Sequence, residues 1–413
     1  VALVPLLAFP ALRAEVRAVS TPRGVVSVDL RGAGARTLVF IHGNGAAKGQ
    51  WEAQLARFAQ DHRVLAVDLP GMGASPRPTR GGYSVAELSA DLWAVLEALD
   101  ARSAVLVAHS YGSAVALELA GTHAEAVEGV FLVDAAGDVR APSEEARGRV
   151  KANLDPGRVD EERFRRIKDR MFEPILKEAL PATRERVLKD LEGTDRAVFL
   201  GALAGLQDFD PAASLGRCRG PVMNLATDRM DPSATLHAKL PGIAATRVPG
   251  TSHWPMLDKP QAVNGALAGF LSGIHREQRQ FDFWLGDWRV EDAQGVHLGD
   301  NLVTAALGGS VLQEHWRGSK GGLGTSLNAW IPAVKAWRQT WIDGQGGMLV
   351  LEGGWKEGAM VLAGEQPGPK GPVRSRITWI PLSDGRVRQV WEQSTDGGKV
   401  WATAFDGYYR RKP

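Results

Sequence analysis

The sequence predicts an α/β fold with a mostly parallel sheet, followed by a separate all-β unit. Three observations predict it. Through the first 120 residues, apolar strand-like runs that end in glycine turns alternate with helix-favouring segments. At one of these strand-to-helix junctions a serine stands between two small residues, in Ala108-His109-Ser110-Tyr111-Gly112. After Gly273 the composition shifts to a tryptophan- and glycine-rich chain of short alternating runs with no helical crossover.

The elements follow in order. Arg36 to Ile41 (RTLVFI) is an apolar strand that runs into the turn His42-Gly43-Asn44-Gly45, and Trp51 to Gln60 is an amphipathic helical segment. Val64 to Leu69 (VLAVDL) is a second strand, closed by Pro70-Gly71-Met72-Gly73. Ser103 to Ala108 (SAVLVA) reads as a strand buried on both faces, and Ser113 to Ala120 (SAVALELA) is helical in propensity. Later strands are expected at Gly129 to Val133, Pro221 to Ala226 and Ala244 to Val248.

A serine on such a junction sits on a sharp turn with its hydroxyl exposed at the strand's carboxyl end. The pattern is the nucleophile elbow G-x-S-x-G with Ala108 in place of the first glycine. With HGNG, DLPGMGAS and AHSYG in that order, the chain closely resembles the α/β-hydrolase superfamily, particularly its cap-bearing, esterase-like members, over roughly Thr21 to Gly273. The resemblance implies a backbone oxyanion hole formed by the N–H groups of Asn44 and Tyr111. Two such donors stabilise a tetrahedral intermediate by about 3–4 kcal/mol each.

A serine hydroxyl needs a base, and the family carries its histidine in the loop after the last strand. Gly250-Thr251-Ser252-His253-Trp254-Pro255 supplies His253 there. His42 belongs to the oxyanion turn and His109 to the elbow. The carboxylate has several candidates. Asp231 is the first, in the turn after the Pro221 strand; Asp228, in the same turn, is the runner-up; Asp134 and Asp138, after the preceding strand, are a third option.

The stretch of about 139–215 is a helical insertion where the superfamily carries its cap. In Val159 to Leu180, Phe164, Ile167, Met171, Phe172 and Ile175 recur at helical spacing, a pattern that first of all seats such a helix on the core. Trp51, Trp254 and Tyr111 adjoin the proposed catalytic turns and are the candidates for pocket lining. Charged residues are scarce beside those turns, which suggests a largely apolar, uncharged acyl group.

Length fits two domains, taken as 21–274 and 281–413, joined by the polar HREQRQ. A net charge of +2 gives no polybasic case for nucleic acid, no run reaches the ~20 apolar residues of a membrane span, and one cysteine, Cys218, excludes a disulfide framework or cysteine-rich metal site. No cofactor or metal is expected. Within 1–20, the apolar Val1 to Leu12 resembles the core and cleavage region of a secretory signal, so export is narrowly favoured over a cytoplasmic location; the competing reading is a structural segment packed on the domain.

The opening Phe281-Asp282-Phe283-Trp284-Leu285-Gly286-Asp287-Trp288 and the closing Phe405-Asp406-Gly407-Tyr408-Tyr409 resemble a bacterial lipocalin-like family of unknown function, which implies a β-barrel. Ser394-x-Asp396-x-Gly398-x-x-Trp401 matches the Asp-box of sialidases, but one copy is a hairpin device and implies no glycosidase. The barrel tryptophans are expected mainly as core, with ligand contact the alternative, and the barrel is a candidate for self-association.

The expected activity is hydrolysis of a carboxylic ester, thioester or lactone of a small molecule. Two alternatives stay open: C–C bond hydrolysis or a lyase or cyclase step on the same triad, and a ligand-binding protein with a vestigial hydrolase domain. Epoxide hydrolysis and dehalogenation are disfavoured, because those members carry an aspartate at the elbow.

Overall fold

The computed structural model describes residues 14–412 except 35, 136, 230–232, 234, 241, 275, 308–309 and 370. The apolar segment Val1 to Leu12 and the aspartate at position 231 lie outside the described residues. The chain divides after Gly273 into two compact units.

The first unit is built on an eight-stranded sheet. Strands β1 (Glu15–Thr21) and β2 (Gly24–Arg31) form an antiparallel hairpin, and β2 pairs antiparallel with β4 (Arg63–Val67). From there β3 (Thr37–Ile41), β5 (Ala104–His109), β6 (Val127–Val133), β7 (Val222–Ala226) and β8 (Ile243–Arg247) run parallel, giving the order β1-β2-β4-β3-β5-β6-β7-β8. Every residue of β3, β5 and β6 is buried, because helices cover both faces, and this is why they read as unbroken apolar runs rather than alternations. β1 begins at Glu15, inside the segment set aside at 1–20. Its exposed, charged sequence carries little apolar signal.

Helices fill the crossovers: α1 (Glu52–Phe58), α2 (Val85–Ala98) and α3 (Gly112–Thr122). A capping box starts α2, with the Ser84 hydroxyl and Glu87 carboxylate satisfying each other's backbone N–H groups. Between β6 and β7 lie five helices, α4 (Glu144–Asn153), α5 (Glu161–Leu176), α6 (Pro181–Glu192), α7 (Arg196–Gly205) and α8 (Pro211–Arg217). The short α9 (Leu236–Lys239) precedes β8, and α10 (Pro255–Asp258) and α11 (Pro260–Ser272) follow it.

The second unit is a closed antiparallel barrel of ten strands: β9 (Gly286–Glu291), β10 (His297–Ala306), β11 (Val311–Gly318), β12 (Leu323–Ile331), β13 (Ala336–Asp343), β14 (Met348–Lys356), β15 (Ala359–Gly368), β16 (Gly371–Pro381), β17 (Val387–Ser394) and β18 (Ala402–Arg411). Neighbours in sequence pair in turn, and β18 closes on β9. The segment before β9 plugs the interior: Phe281 lies 5.0 Å from the Trp284 ring and 5.0 Å from that of Trp379, both fully buried. At the β17–β18 turn, Ser394 Oγ donates to Asp396 Oδ1 at 2.7 Å, and Asp396 accepts from the N–H groups of Lys399 and Val400. The Asp-box residues thus tie up their own hairpin.

Candidate active site

Ser110 directly follows β5 and has a φ of +50°, the left-handed region that a serine adopts only where the surroundings impose it. The turn is this tight because Gly112 lies against the end of β3: a Cβ there would stand 2.5 Å from His42 O and 2.9 Å from Ile41 O. The outcome is a hydroxyl at the carboxyl end of β5 and at the start of α3.

His253, in the loop after β8, meets that hydroxyl. Ser110 Oγ and His253 Nε2 are 2.9 Å apart, and His253 Nδ1 lies 2.6 Å from Asp134 Oδ2. Asp134 follows β6 with a φ of +48° and is 1% exposed. Its second oxygen accepts from Thr227 N–H and from Thr227 Oγ1, both at 3.0 Å. Burial by itself would raise the Asp134 pKa, but the hydrogen bonds from His253 and Thr227 outweigh it and hold the carboxyl below the usual aspartate value. Asp134 is therefore ionised, and it fixes the proton of His253 on Nδ1, leaving Nε2 to accept.

Neither Asp228 nor Asp138 reaches the His253 ring. Asp228 is half exposed, pairs with Arg247 at 3.1 Å and accepts from Gly250 N–H at 3.2 Å, so it braces the loop ahead of His253 without touching the ring. Asp138 is clasped by Arg140, which also reaches Asp210. Asp231 lies outside the described residues. Among the described residues the carboxylate on the histidine is thus the one after β6 and not Asp228 in the turn after β7, and the reason is Thr227. It ends β7 beside Asp134 and supplies two donors that no spacing in the sequence announces.

The two other histidines beside the site, His42 and His109, are fixed by hydrogen bonds and neutral. His42 donates from Nδ1 to Gly43 O at 2.7 Å and accepts on Nε2 from Leu69 N–H at 3.0 Å, tying the HGNG turn to the end of β4; burial lowers its pKa. His109 donates from Nε2 to His253 O at 2.7 Å, and burial, reinforced by the neighbouring His253, pushes it down to about 3. The same two turns are stapled by buried Asp68, which accepts from Lys48 N–H at 2.7 Å and Ala74 N–H at 2.9 Å and pairs with the Lys48 ammonium.

A cavity of about 320 Å³ opens over Ser110. Gly43, Asn44, Tyr111, His253 and Trp254 border it on the sheet side. The side chains of Asn44 and Tyr111 are engaged away from the serine, Asn44 Nδ2 with Phe199 O at 3.1 Å and Tyr111 OH with Tyr83 O at 3.2 Å. The helical insertion forms the opposite wall, with Met171, Phe172 and Ile175 of α5 and Phe199 and Leu203 of α7. Three of the five apolar α5 positions thus face the cavity instead of only seating the helix, while Phe164 packs on Phe199 at 5.7 Å.

Trp51 does not line the cavity. It is fully buried, with its ring 5.4 Å from Phe40 of β3, because it opens α1 and turns toward the sheet. Nor is the lining free of charge, for Asp138 borders it and Arg229 reaches it with a buried Nε that has no hydrogen-bond partner among the described residues. Single charged residues in turns of mixed polarity leave no periodic trace in sequence. Among the described residues no cluster of histidine, cysteine, aspartate or glutamate could hold a metal ion, and no helix is long and apolar enough to cross a membrane.

Residues 38–266, more than half of the 413-residue chain, match a family described as the alpha/beta hydrolase family. The chain belongs to that family. It is similar to the dihydrolipoyllysine-residue acetyltransferase component of the acetoin cleaving system of Pseudomonas putida, at 30% identity over 253 residues, covering 59% of this chain and 65% of that protein. It therefore spans slightly less than two-thirds of that relative's length. It is also 25% identical over 248 residues to a putative carbamate hydrolase of Pseudomonas savastanoi pv. phaseolicola, covering 58% of this chain and 95% of that protein. Among solved structures, a hydrolase from Pseudomonas aeruginosa superposes with a TM-score of 0.53 at 26% identity, covering 62% of this chain and 98% of that one. A thermophilic esterase from Thermogutta terrifontis superposes at 0.54 and 20% identity, covering 64% and 99%, a likeness of fold alone.

Proposed function

We propose that the first unit is a serine hydrolase that cleaves a carboxylic ester, thioester or lactone of a small molecule through an acyl-enzyme. The observation that carries this reading is the continuous chain from Ser110 Oγ to His253 Nε2 at 2.9 Å and from His253 Nδ1 to Asp134 at 2.6 Å, opening onto a lined cavity. Ser110 attacks the substrate carbonyl while His253 takes its proton, and the ionised Asp134 stabilises the imidazolium that forms. The backbone N–H groups of Asn44 and Tyr111 receive the oxyanion; both residues border the cavity, and Tyr111 stands at the start of α3, where unpaired N–H groups favour negative charge. His253 then protonates the leaving group, and water, activated by the same histidine, releases the acid.

The helices of about 139–215 act as a cap that excludes water and shapes the acyl pocket. Met171, Phe172, Phe199 and Leu203 suit an apolar acyl chain, and Arg229 Nε, without a partner among the described residues, offers one point for an oxygen-bearing or anionic end. The test is Ser110→Ala with a short p-nitrophenyl ester and a fluorophosphonate probe. Turnover should fall by about 10⁴–10⁶-fold and labelling should vanish in a folded variant. Retained turnover or labelling would sink the serine mechanism.

A further inference from the structure

The barrel has a cavity of its own, of about 120 Å³, at the end away from the aromatic plug. Inward positions alternate along its strands, so that Trp337, Gln339 and Trp341 on β13 descend from plug to floor to mouth, and Leu312, Glu314 and Trp316 on β11 do the same. The floor is polar and buried: Glu314 is 4% exposed, Gln339 2% and Tyr409 1%. The mouth is aromatic and half-buried, with Trp316, Trp341, Trp391 and Phe405 around it. Their arrangement is built into the backbone, since a Cβ on Gly324 would stand 2.1 Å from the Trp341 ring that lies across it.

Glu314 is the unusual member. Its Oε1 accepts from Asn301 Nδ2 at 2.8 Å and its Oε2 from Ser326 Oγ at 2.6 Å, while Ser326 Oγ itself accepts from Asn328 Nδ2 at 2.8 Å. The network therefore sends donors toward both oxygens, as a carboxylate requires, yet among the described residues no cationic side chain pairs with it. Burial, opposed only by those hydrogen bonds, pushes the carboxyl up to about 7. A buried acid surrounded by donors and facing a cavity lacks one thing, a positive charge. Tryptophan faces at the mouth offer the same preference, because the ring quadrupole attracts cations, quaternary ammonium groups above all.

We propose that the barrel binds a small organic ammonium ion, with the cationic head against Glu314 and its alkyl groups enclosed by Trp316, Trp341 and Trp391. The cavity is well below the about 300–1,000 Å³ that takes a drug-sized ligand. It fits a tetramethylammonium or choline head and not a long acyl chain. A metal ion would need more oxygen ligands than one carboxylate and neutral amides supply.

Isothermal titration of the full chain with tetramethylammonium, choline and the neutral isostere 3,3-dimethylbutan-1-ol tests this without any substitution. Choline and tetramethylammonium should saturate one site and quench tryptophan fluorescence, and the isostere should bind at least about 10-fold more weakly. Glu314→Gln, which keeps the size and the acceptor, should weaken both cations by a similar factor while the isostere is unaffected; Trp391→Leu at the rim repeats the test where the floor variant fails to fold. Absence of cation binding, equal affinity for the isostere, or cation affinity unchanged in a folded Glu314→Gln protein would overturn the proposal.

Discussion

Replacing Asp134 by asparagine changes one atom and should cost nearly the whole rate. In the wild type, Asp134 Oδ1 accepts from Thr227 N–H and Thr227 Oγ1 at 3.0 Å each, while Oδ2 accepts from His253 Nδ1–H at 2.6 Å. An amide has one acceptor oxygen, and the Thr227 backbone N–H cannot turn away. The oxygen is therefore held at the Thr227 side, and the NH₂ group faces His253. That group donates to Nδ1, so the imidazole must carry its proton on Nε2, the atom that should receive the Ser110 proton at 2.9 Å. The wrong tautomer in an otherwise intact triad lowers kcat by about 10⁴-fold, equivalent to about 5.5 kcal/mol. Turnover of a short p-nitrophenyl ester and the rate of fluorophosphonate labelling should fall together, with near-ultraviolet circular dichroism unchanged. Asp228→Asn and Asp231→Asn should stay within a few fold of wild type. A folded Asp134→Asn enzyme within about 10-fold of wild type would refute the tautomer argument, most directly if Asp231→Asn fell instead.

Phe172→Ala should enlarge the cavity where the ring stacks 6.0 Å from Trp254, so KM for a short ester should rise more than kcat falls and the preference should move to longer acyl chains; a uniform loss across chain lengths would argue that Phe172 only seats α5. Glu314 makes barrel stability depend on pH. Below its ordinary value of 4.5 the carboxyl is neutral folded and unfolded; as pH rises from 4.5 to about 7 the unfolded chain ionises while the folded barrel keeps the proton, so about 3 kcal/mol of stability is lost across that window, and Glu314→Gln should abolish this loss in thermal unfolding followed by tryptophan signals. Ending the chain at Gly273 should leave a folded unit active on a short ester, as the residues proposed for catalysis and the core of the sheet precede that point; an aggregated or inactive fragment would contradict modular folding.

Some of this was readable from sequence because the causes are local. An elbow serine needs small neighbours within two residues, and β3, β5 and β6 are buried on both faces, so each leaves an unbroken signature. The histidine follows a strand end in a short loop. The acid is different, because Asp134 and Asp228 both follow apolar strands and nothing between them in sequence differs in kind. What separates them is register: Val133 of β6 lies opposite Leu225 of β7, which brings Asp134 beside Thr227. Trp51 is the opposite case, for closeness in sequence to the HGNG turn suggests closeness to the pocket, whereas the start of α1 rotates the ring onto Phe40. Glu314 in VLQEHWRG looks like any polar residue of an alternating strand, and only closure of the barrel reveals that it points inward.

That closure also governs how these molecules can meet one another. With β18 bonded to β9, the ring of backbone hydrogen bonds has no free edge, so a second copy cannot add a strand to the barrel and any self-association there must use side chains. Among the described residues, strand-by-strand growth is open only at the two margins of the other sheet, β1 and β8. Both carry charge at those margins, Glu15 and Arg17 on one and Arg247 on the other, and an incoming strand would have to accommodate it.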